Sequence, residues 1–364
     1  MSEIGQHSPD PAPLGTTLVV GAGLVGTSIA QALTNAGVRV LLSDKTTSHA
    51  VVAAGLGAGE VFDPAAGEQV EVVVVATPPQ HIPAAVLAAL VQHPKAVVTD
   101  VASVKSAVLA RLETTDEDIS RYVGSHPMAG SQHTGPLTAS AKLFVDRTWV
   151  VTPHAGNAPE HVGVVRELAR ACGSRVVEMA PDEHDEAVAQ VSHLPQLMST
   201  LTAGNLRHVP DGHLQLAGQG IRDVTRIAGS DPGLWRQIIT ANADAVRAEL
   251  DAVRADLDEL VEALDDPDAL EAFMARGRVG ARSLPGKHGS RPADWESVVV
   301  EIPDAPGALA RLFADIEAEG VNVEDLSIEH DASREVGWLQ VDVAPDHAVR
   351  LRSAMQAKSW TLRP

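Results

Sequence analysis

Apolar positions at the start of the chain fall into short unbroken runs. Thr16 to Val20 (TTLVV) is a β-branched run suited to a strand buried on both faces, and it passes directly into Gly21-Ala22-Gly23-Leu24-Val25-Gly26 and a helical pattern to Ala36. Gly37 ends that helix, and Val38 to Leu42 predicts a second strand. Val72 to Ala76, Ala96 to Thr99, Arg121 to Gly124 and Thr148 to Val151 predict four more, most of them separated by helical stretches. Such a βαβ succession builds a mostly parallel sheet. After a last strand near Arg175 to Glu178 no strand pattern returns between Pro181 and about Leu284. The longest helix there is expected to start at Ser230-Asp231-Pro232, an N-cap followed by proline, and to run to Leu264 with one acidic, solvated face. Asp266-Pro267-Asp268 opens another.

A Pro-, Gly- and Ser-rich stretch, Ser283 to Asp294, reads as a linker. Beyond it the period changes again. Ser297 to Ile302 is a strand, Gly307 to Gly320 a helix, Val321 to His330 and Glu335 to Val343 strands, followed by a helix and a short final strand. The order βαββαβ is the ferredoxin-like arrangement. The fold class is therefore α/β. An N-terminal dinucleotide-binding domain of Rossmann type spans 15–180, behind a leader at 1–14 expected to be disordered. An all-helical domain spans 181–284, a linker 285–294 and a ferredoxin-like domain 295–364.

Composition narrows the function classes. Of 364 residues, 45% are hydrophobic and 21% charged, and Lys+Arg 28 against Asp+Glu 48 gives a net charge of −20. That balance disfavours nucleic acid and anionic membranes as partners, and an anionic substrate would need cations concentrated locally. The single cysteine, Cys172, permits no intrachain disulfide and reads as a small buried apolar residue. No coherent metal-ligand set is visible. The N-terminus lacks a basic region followed by an apolar core, and no apolar run approaches the ~18 residues of a membrane span, so a cytoplasmic protein is expected.

The glycine hexapeptide sits where a dinucleotide fingerprint must, directly after a buried strand and opening a helix. Gly21 serves the tight turn, Gly23 the approach of the pyrophosphate and Gly26 the helix-to-strand contact, with free amides around Leu24 and Val25 facing phosphate. Asp44, 18 positions past Gly26, is placed to accept hydrogen bonds from the adenosine ribose and to repel a 2′-phosphate, which favours NAD over NADP. In open parallel sheets ligands lie beyond the carboxyl ends of the strands, and three loops there are polar: Thr77-Pro78-Pro79, Asp100 to Lys105, and Ser125 to Gly130. Topology alone brings Ser103 and His126 toward the nicotinamide end. His126 could take or hold a hydroxyl proton near neutral pH, and Ser103 could bridge substrate and cofactor; closing a turn is the alternative reading of either. In the helical region, His193 lies in a helical pattern, and Arg222 and Arg226 share one helix face, where either could supply a bidentate carboxylate contact.

These residues resemble the prephenate/arogenate dehydrogenases of tyrosine biosynthesis, through GAGLVGTSIA, DVASVK, VGSHPMAG, VSHLPQ and DVTRIAGSDPGLW in that order, across nearly the whole chain. The resemblance implies oxidative decarboxylation of prephenate, or of arogenate, with NAD as cofactor. It implies that His126 is the catalytic histidine on the ring hydroxyl, that Ser103 contacts hydroxyl and nicotinamide, and that Arg226 grips a substrate carboxylate. His193 and Trp235 would line the same pocket, together with Ser131 and Gln132. Many relatives that prefer prephenate carry Glu where this chain has Gln132, so the choice between prephenate and arogenate stays open. The C-terminal module looks like an ACT domain, with Asp304, Gly307, Ala308 and Asn322 as candidate effector contacts and tyrosine as the expected effector. A homodimer is expected. Two rivals are a β-hydroxyacid-type dehydrogenase and a non-catalytic sensor of NAD and amino acids.

Overall fold

The computed structural model describes residues 14–130, 135–284, 295–303, 305–331 and 336–363. The chain divides into two compact units, 1–255 and 256–364. The first begins with β1 (Thr17–Val20), α1 (Leu24–Asn35), β2 (Val40–Ser43), α2 (Thr47–Gly55), β3 (Glu60–Val61), β4 (Val72–Val75), α3 (Ile82–Gln92) and β5 (Val97–Asp100). These strands form one parallel sheet in the order β3-β2-β1-β4-β5. Val19, Val72 and Val74 enter one apolar cluster with Ile29, Leu33 and Trp149. Leu18, Val73 and Val75 enter the other, with Ile82, Val86 and Leu112. Alternate residues of each strand are thus buried on opposite faces, which is why the strands read as unbroken apolar runs. Each such side chain contributes ~1.5–3 kcal/mol on burial.

The next elements are α4 (Ser106–Glu113), β6 (Gly124–Pro127), β7 (Thr148–Thr152), α5 (Pro159–Ala171) and β8 (Arg175–Glu178). The last three strands do not extend the parallel sheet. They make their own sheet, β6 antiparallel to β7 and β7 parallel to β8. The strand expected at Arg121 to Gly124 is displaced. Only Tyr122 bridges to Val98, and the strand proper starts at Gly124. His126 therefore lies within a strand and not in the loop after one. Polar residues are tolerated there because Ser125 Oγ donates to the Asp100 carbonyl, 2.8 Å, and accepts from Thr99 Oγ1, 3.0 Å.

From Pro181 onward the described residues up to 284 are helical: α6 (Pro181–Val188), a π-helical turn over Ala189–His193, α7 (Leu194–Asn205), α8 (Asp211–Leu214), α9 (Gln219–Thr225), α10 (Pro232–Ala241), α11 (Ala243–Ala263) and α12 (Pro267–Arg282). Asp231 and Asp266 cap α10 and α12 as their sequences predict, accepting from the Leu234 amide and from the Asp268 and Ala269 amides. The single long helix expected from Pro232 is instead broken at Asn242, whose φ of −117° and ψ of 32° leave the helical region. Its side chain turns inward, the competition with helix backbone that Asn is prone to.

The C-terminal module has β9 (Glu296–Pro303), α13 (Ala308–Glu317), β10 (Asp325–Asp331), β11 (Val336–Val343) and α14 (Pro345–Ala357). The sheet order is β10-β11-β9, antiparallel, and Leu362 bridges to Val300 on the far side of β9. Val298, Val300, Leu339 and Val341 pack against Leu312, Ile316 and Leu351 of the two helices. The βαββαβ reading holds. The predicted leader and linker fall almost wholly outside the described residues.

Candidate active site

The turn after β1 is built around close backbone approaches. Gly21 has a φ of +106°, and a Cβ there would lie 2.5 Å from the Ala76 carbonyl oxygen; a Cβ on Gly26 would lie 1.9 Å from the Gly21 carbonyl. Gly23 is different, because nothing stands within 4 Å of the place its Cβ would take. The protein itself does not need glycine there, but a pyrophosphate approaching the helix start would. Asp44 closes the turn from the end of β2, accepting from the Ala22 and Thr46 amides at 2.7 Å each. Thr77, at the end of β4, has a buried hydroxyl with no hydrogen-bond partner. An open glycine position, an unpartnered hydroxyl and a held carboxylate along one edge of the sheet fit a dinucleotide.

Beyond β5 the chain turns inward to a buried polar cluster. Lys105, 1% exposed, donates from Nζ to Asp100 Oδ2 at 2.5 Å and to the Ser125 carbonyl at 2.7 Å. Tyr122 donates to Asp100 Oδ1 at 2.8 Å, and the Ala102 amide to Oδ2 at 2.9 Å. Gly124 makes room for this cluster, since a Cβ there would lie 3.1 Å from the Tyr122 hydroxyl. From α6, Asp185 accepts the Lys105 and Ser106 amides, each at 2.8 Å. Ser103 is thereby held between two anchored stretches of backbone, and it lines a cavity of about 310 Å³ with Val104, Arg236, Gln237 and Ile238. His126 is not part of that cavity wall.

Two chains of hydrogen bonds lead from Asp185 and Asn242 to the two central histidines. Asp185 Oδ1 is 2.8 Å from His184 Nδ1, and His184 Nε2 is 2.9 Å from His126 Nδ1. Asn242 Nδ2 donates to the Asp185 carbonyl at 2.7 Å and reaches His193 Nδ1 at 3.1 Å. The carbonyl fixes which way the Asn242 amide faces, so His193 Nδ1 accepts and, with the ring neutral, the proton sits on Nε2. Burial, with His184, Lys105 and His193 nearby, pushes His126 well below the usual histidine range. Burial also brings His193 down to about 4, against the opposing pull of Asp185. Burial would raise the Asp185 carboxyl, but the His184 bond and the two amides outweigh it and hold it below its ordinary value. His126 and His193, both held neutral by burial, with an ionised Asp185 close by, suit proton transfer to and from a hydroxyl.

Residues 29–178 match the family model for the prephenate dehydrogenase nucleotide-binding domain, and 180–276 the prephenate dehydrogenase dimerization domain. NovF of Streptomyces niveus, named a probable prephenate dehydrogenase, is 31% identical over 358 residues, 95% of this chain and 98% of its own. The chain belongs to the prephenate dehydrogenase family. Among solved structures, Synechocystis arogenate dehydrogenase is 28% identical with a TM-score of 0.65, covering 73% of this chain and 98% of its own. The A. aeolicus prephenate dehydrogenase, in complex with hydroxyphenyl propionate and NAD+, is 25% identical with a TM-score of 0.68, covering 75% and 99%.

Within this prephenate dehydrogenase-family chain the predicted residues are not all equally close. His126 and His193 join one cluster, and the Trp235 ring stands edge-on to His193 at 6.1 Å. Arg226 opens a short 3-10 turn, Arg226–Gly229, that Gln196 and Ser199 tie to α7 through the Ile227 carbonyl and the Ala228 amide. Arg226 is exposed and has no ion-pair partner among the described residues, as is true of Arg222. Ser131, Gln132 and Asp304 lie outside the described residues. In the C-terminal module Gly307, with a φ of +82°, precedes α13, Ala308 is its first residue, and Asn322 donates to Glu324 at 2.7 Å. Cys172 is buried, its thiol pushed up to about 12 by burial. Among the described residues there is no metal-holding cluster of His, Cys, Asp and Glu, and no helix long and apolar enough to cross a membrane. Sequence reasoning missed His184, Asp185 and Asn242. The adjacent His184-Asp185 pair was a visible signal, whereas Asn242 reads as an ordinary polar position in a helix.

Proposed function

We propose that the chain is an NAD-dependent prephenate dehydrogenase, converting prephenate to 4-hydroxyphenylpyruvate and CO₂ in tyrosine biosynthesis. The observation that carries the reading is half-buried His126 on β6, hydrogen-bonded to His184 and through it to Asp185. His126 accepts or polarises the proton of the ring hydroxyl. Ser103 aligns that hydroxyl, and Arg226 holds a substrate carboxylate, with His193, Trp235, Ser131 and Gln132 around it. Gly21, Gly23, Leu24, Val25, Gly26, Asp44 and Thr77 would hold NAD+, which when bound supplies the acceptor for the hydride leaving the carbinol carbon. The carbon-to-carboxyl bond breaks as the ring becomes aromatic, and that aromatisation drives the reaction. We read 15–180 as the nucleotide domain, 181–284 as the substrate and dimer domain, and 295–364 as an ACT domain binding tyrosine through Asp304, Gly307, Ala308 and Asn322. The βαββαβ order supports this last assignment, and the matched dimerization domain supports a homodimer.

The likeness to Synechocystis arogenate dehydrogenase favours a second reading, with L-arogenate as substrate and the same chemistry. NADH formation with NAD+ and either prephenate or L-arogenate, each with and without L-tyrosine, decides between them. Turnover of prephenate supports the first reading and turnover of arogenate alone the second. Turnover of neither overturns both, and indifference to tyrosine overturns the assigned effector.

A further inference from the structure

We propose that Asp185 and His184 are positioning residues that fix which nitrogen of His126 carries its proton, leaving the Nε2 lone pair turned to the substrate hydroxyl. The inference rests on the function proposed above. It follows from the direction that hydrogen bonds must take. An ionised carboxylate only accepts, so His184, when neutral, carries its proton on Nδ1, 2.8 Å from Asp185 Oδ1. Its Nε2 is then an acceptor. The 2.9 Å contact to His126 Nδ1 can be a hydrogen bond only if His126 is the donor. A neutral His126 protonated on Nδ1 has a bare Nε2, the one form able to take a proton from an alcohol. The opposite tautomer would present an N–H and could only donate.

A purely structural role for the pair accounts for less. Asp185 anchors the Lys105 and Ser106 amides at the start of α4, and that duty alone does not require a histidine beside it. His184 is fully buried, so it is no surface ligand, and both its ring nitrogens are in hydrogen bonds. Asn242 takes the Asp185 backbone carbonyl and not its carboxylate, whose Oδ1 accepts from His184 as well as from the Lys105 amide. The other charged or titratable groups around His126 are Lys105, bound to Asp100, and His193, held as an acceptor at Nδ1 by Asn242. Neither reaches His126 Nδ1. When His126 takes the proton, the bond to His184, polarised by Asp185, stabilises the resulting cation.

The test compares the full chain with His184→Leu and His184→Gln, by kinetics and by ¹⁵N spectra of histidine-labelled protein, with His126 assigned through His126→Asn. Wild type is expected to show His126 protonated at Nδ1 and bare at Nε2, and His184→Leu to share the proton between the two. The same leucine variant should lose ~10²-fold or more in kcat, as a wrong tautomer does, with KM for prephenate and NAD+ nearly unchanged. Glutamine can accept from His126 and donate to Asp185, so His184→Gln should recover most of that loss. A wild-type His126 with its proton on Nε2, or a leucine variant within about threefold of wild-type kcat, overturns the proposal. Should the leucine variant fail to fold, the wild-type spectrum alone decides. Because the spectrum reads the tautomer in the absence of turnover, a protein inactive on prephenate would sink the proposed reaction and not this assignment.

Discussion

At the scale of single residues the site depends on histidines kept neutral in a buried, polar surrounding. His126→Asn is expected to lower kcat by ~10²–10⁴-fold with a modest change in KM, read from steady-state kinetics. In the proposed reaction His126 works only when unprotonated, and burial depresses its affinity for the proton. Activity should therefore hold as pH falls through the ordinary histidine value of ~6.5 and fail only below it. His193 adds a stability counterpart. Its value in the folded chain, about 4, lies below that of the unfolded chain, so its contribution is complete above ~6.5 and is lost as pH falls toward 4. Urea midpoints measured across that window should decline; a flat profile would show that the ring is not held neutral. Asp44→Ala should relax discrimination against NADP+, measured as the ratio of kcat/KM with the two cofactors. Ser103 and His126 stood out as candidates because each lies close to the end of a predicted strand, although His126 proves to lie within β6 itself. The His184-Asp185 pair was visible in the sequence but its connection to them was not, because hydrogen bonds such as Lys105 amide to Asp185 join residues 80 positions apart.

Elements show where local pattern is a sufficient guide and where tertiary contacts override it. The β1-turn-α1 unit and the Asp231 and Asp266 caps formed as predicted, because backbone geometry and a neighbouring side chain decide them. The strand at Gly124–Pro127 and the break at Asn242 did not, because distant partners satisfy groups that look unfavourable locally. Asn242 is 6% exposed and holds both the Asp185 carbonyl and His193 Nδ1. Asn242→Ala should cost ~1–3 kcal/mol in urea unfolding, the penalty of unpaired buried polar groups. Alanine would also favour joining α10 to α11, and the variant should lose activity together with stability. A stable, fully active Asn242→Ala protein would show that the break is set by packing and not by this side chain.

For the whole molecule, net charge and surface point to different partners. The charge of −20 keeps polyanions away, while the helical region leaves Leu201 at 60% and Leu216 at 84% exposure on the single chain. Apolar side chains so exposed are what a second copy would cover. Sedimentation equilibrium should return twice the chain mass, and a monomer mass at micromolar concentration would refute the dimer. The division into Rossmann-type, helical and ferredoxin-like parts was readable from changes of apolar period along the chain. The extra three-stranded sheet was not, because period alone does not say which strand a given strand will pair with.

The π-helical turn at Ala189–His193 carries a consequence for chain length. His184 and His193 are nine residues apart, which in an unbroken α-helix is 9/3.6, or about two and a half turns, and would set them on opposite sides. The wider turn absorbs one residue, so they stand as if eight apart and face one cluster. Such a turn holds one residue more than the α-helical turn it replaces. Deleting exposed Gln190 should therefore straighten the helix and leave both rings in place, with NADH formation largely retained. A tract packed against the buried histidine cluster would tolerate a one-codon deletion that regular helices of the same length would not.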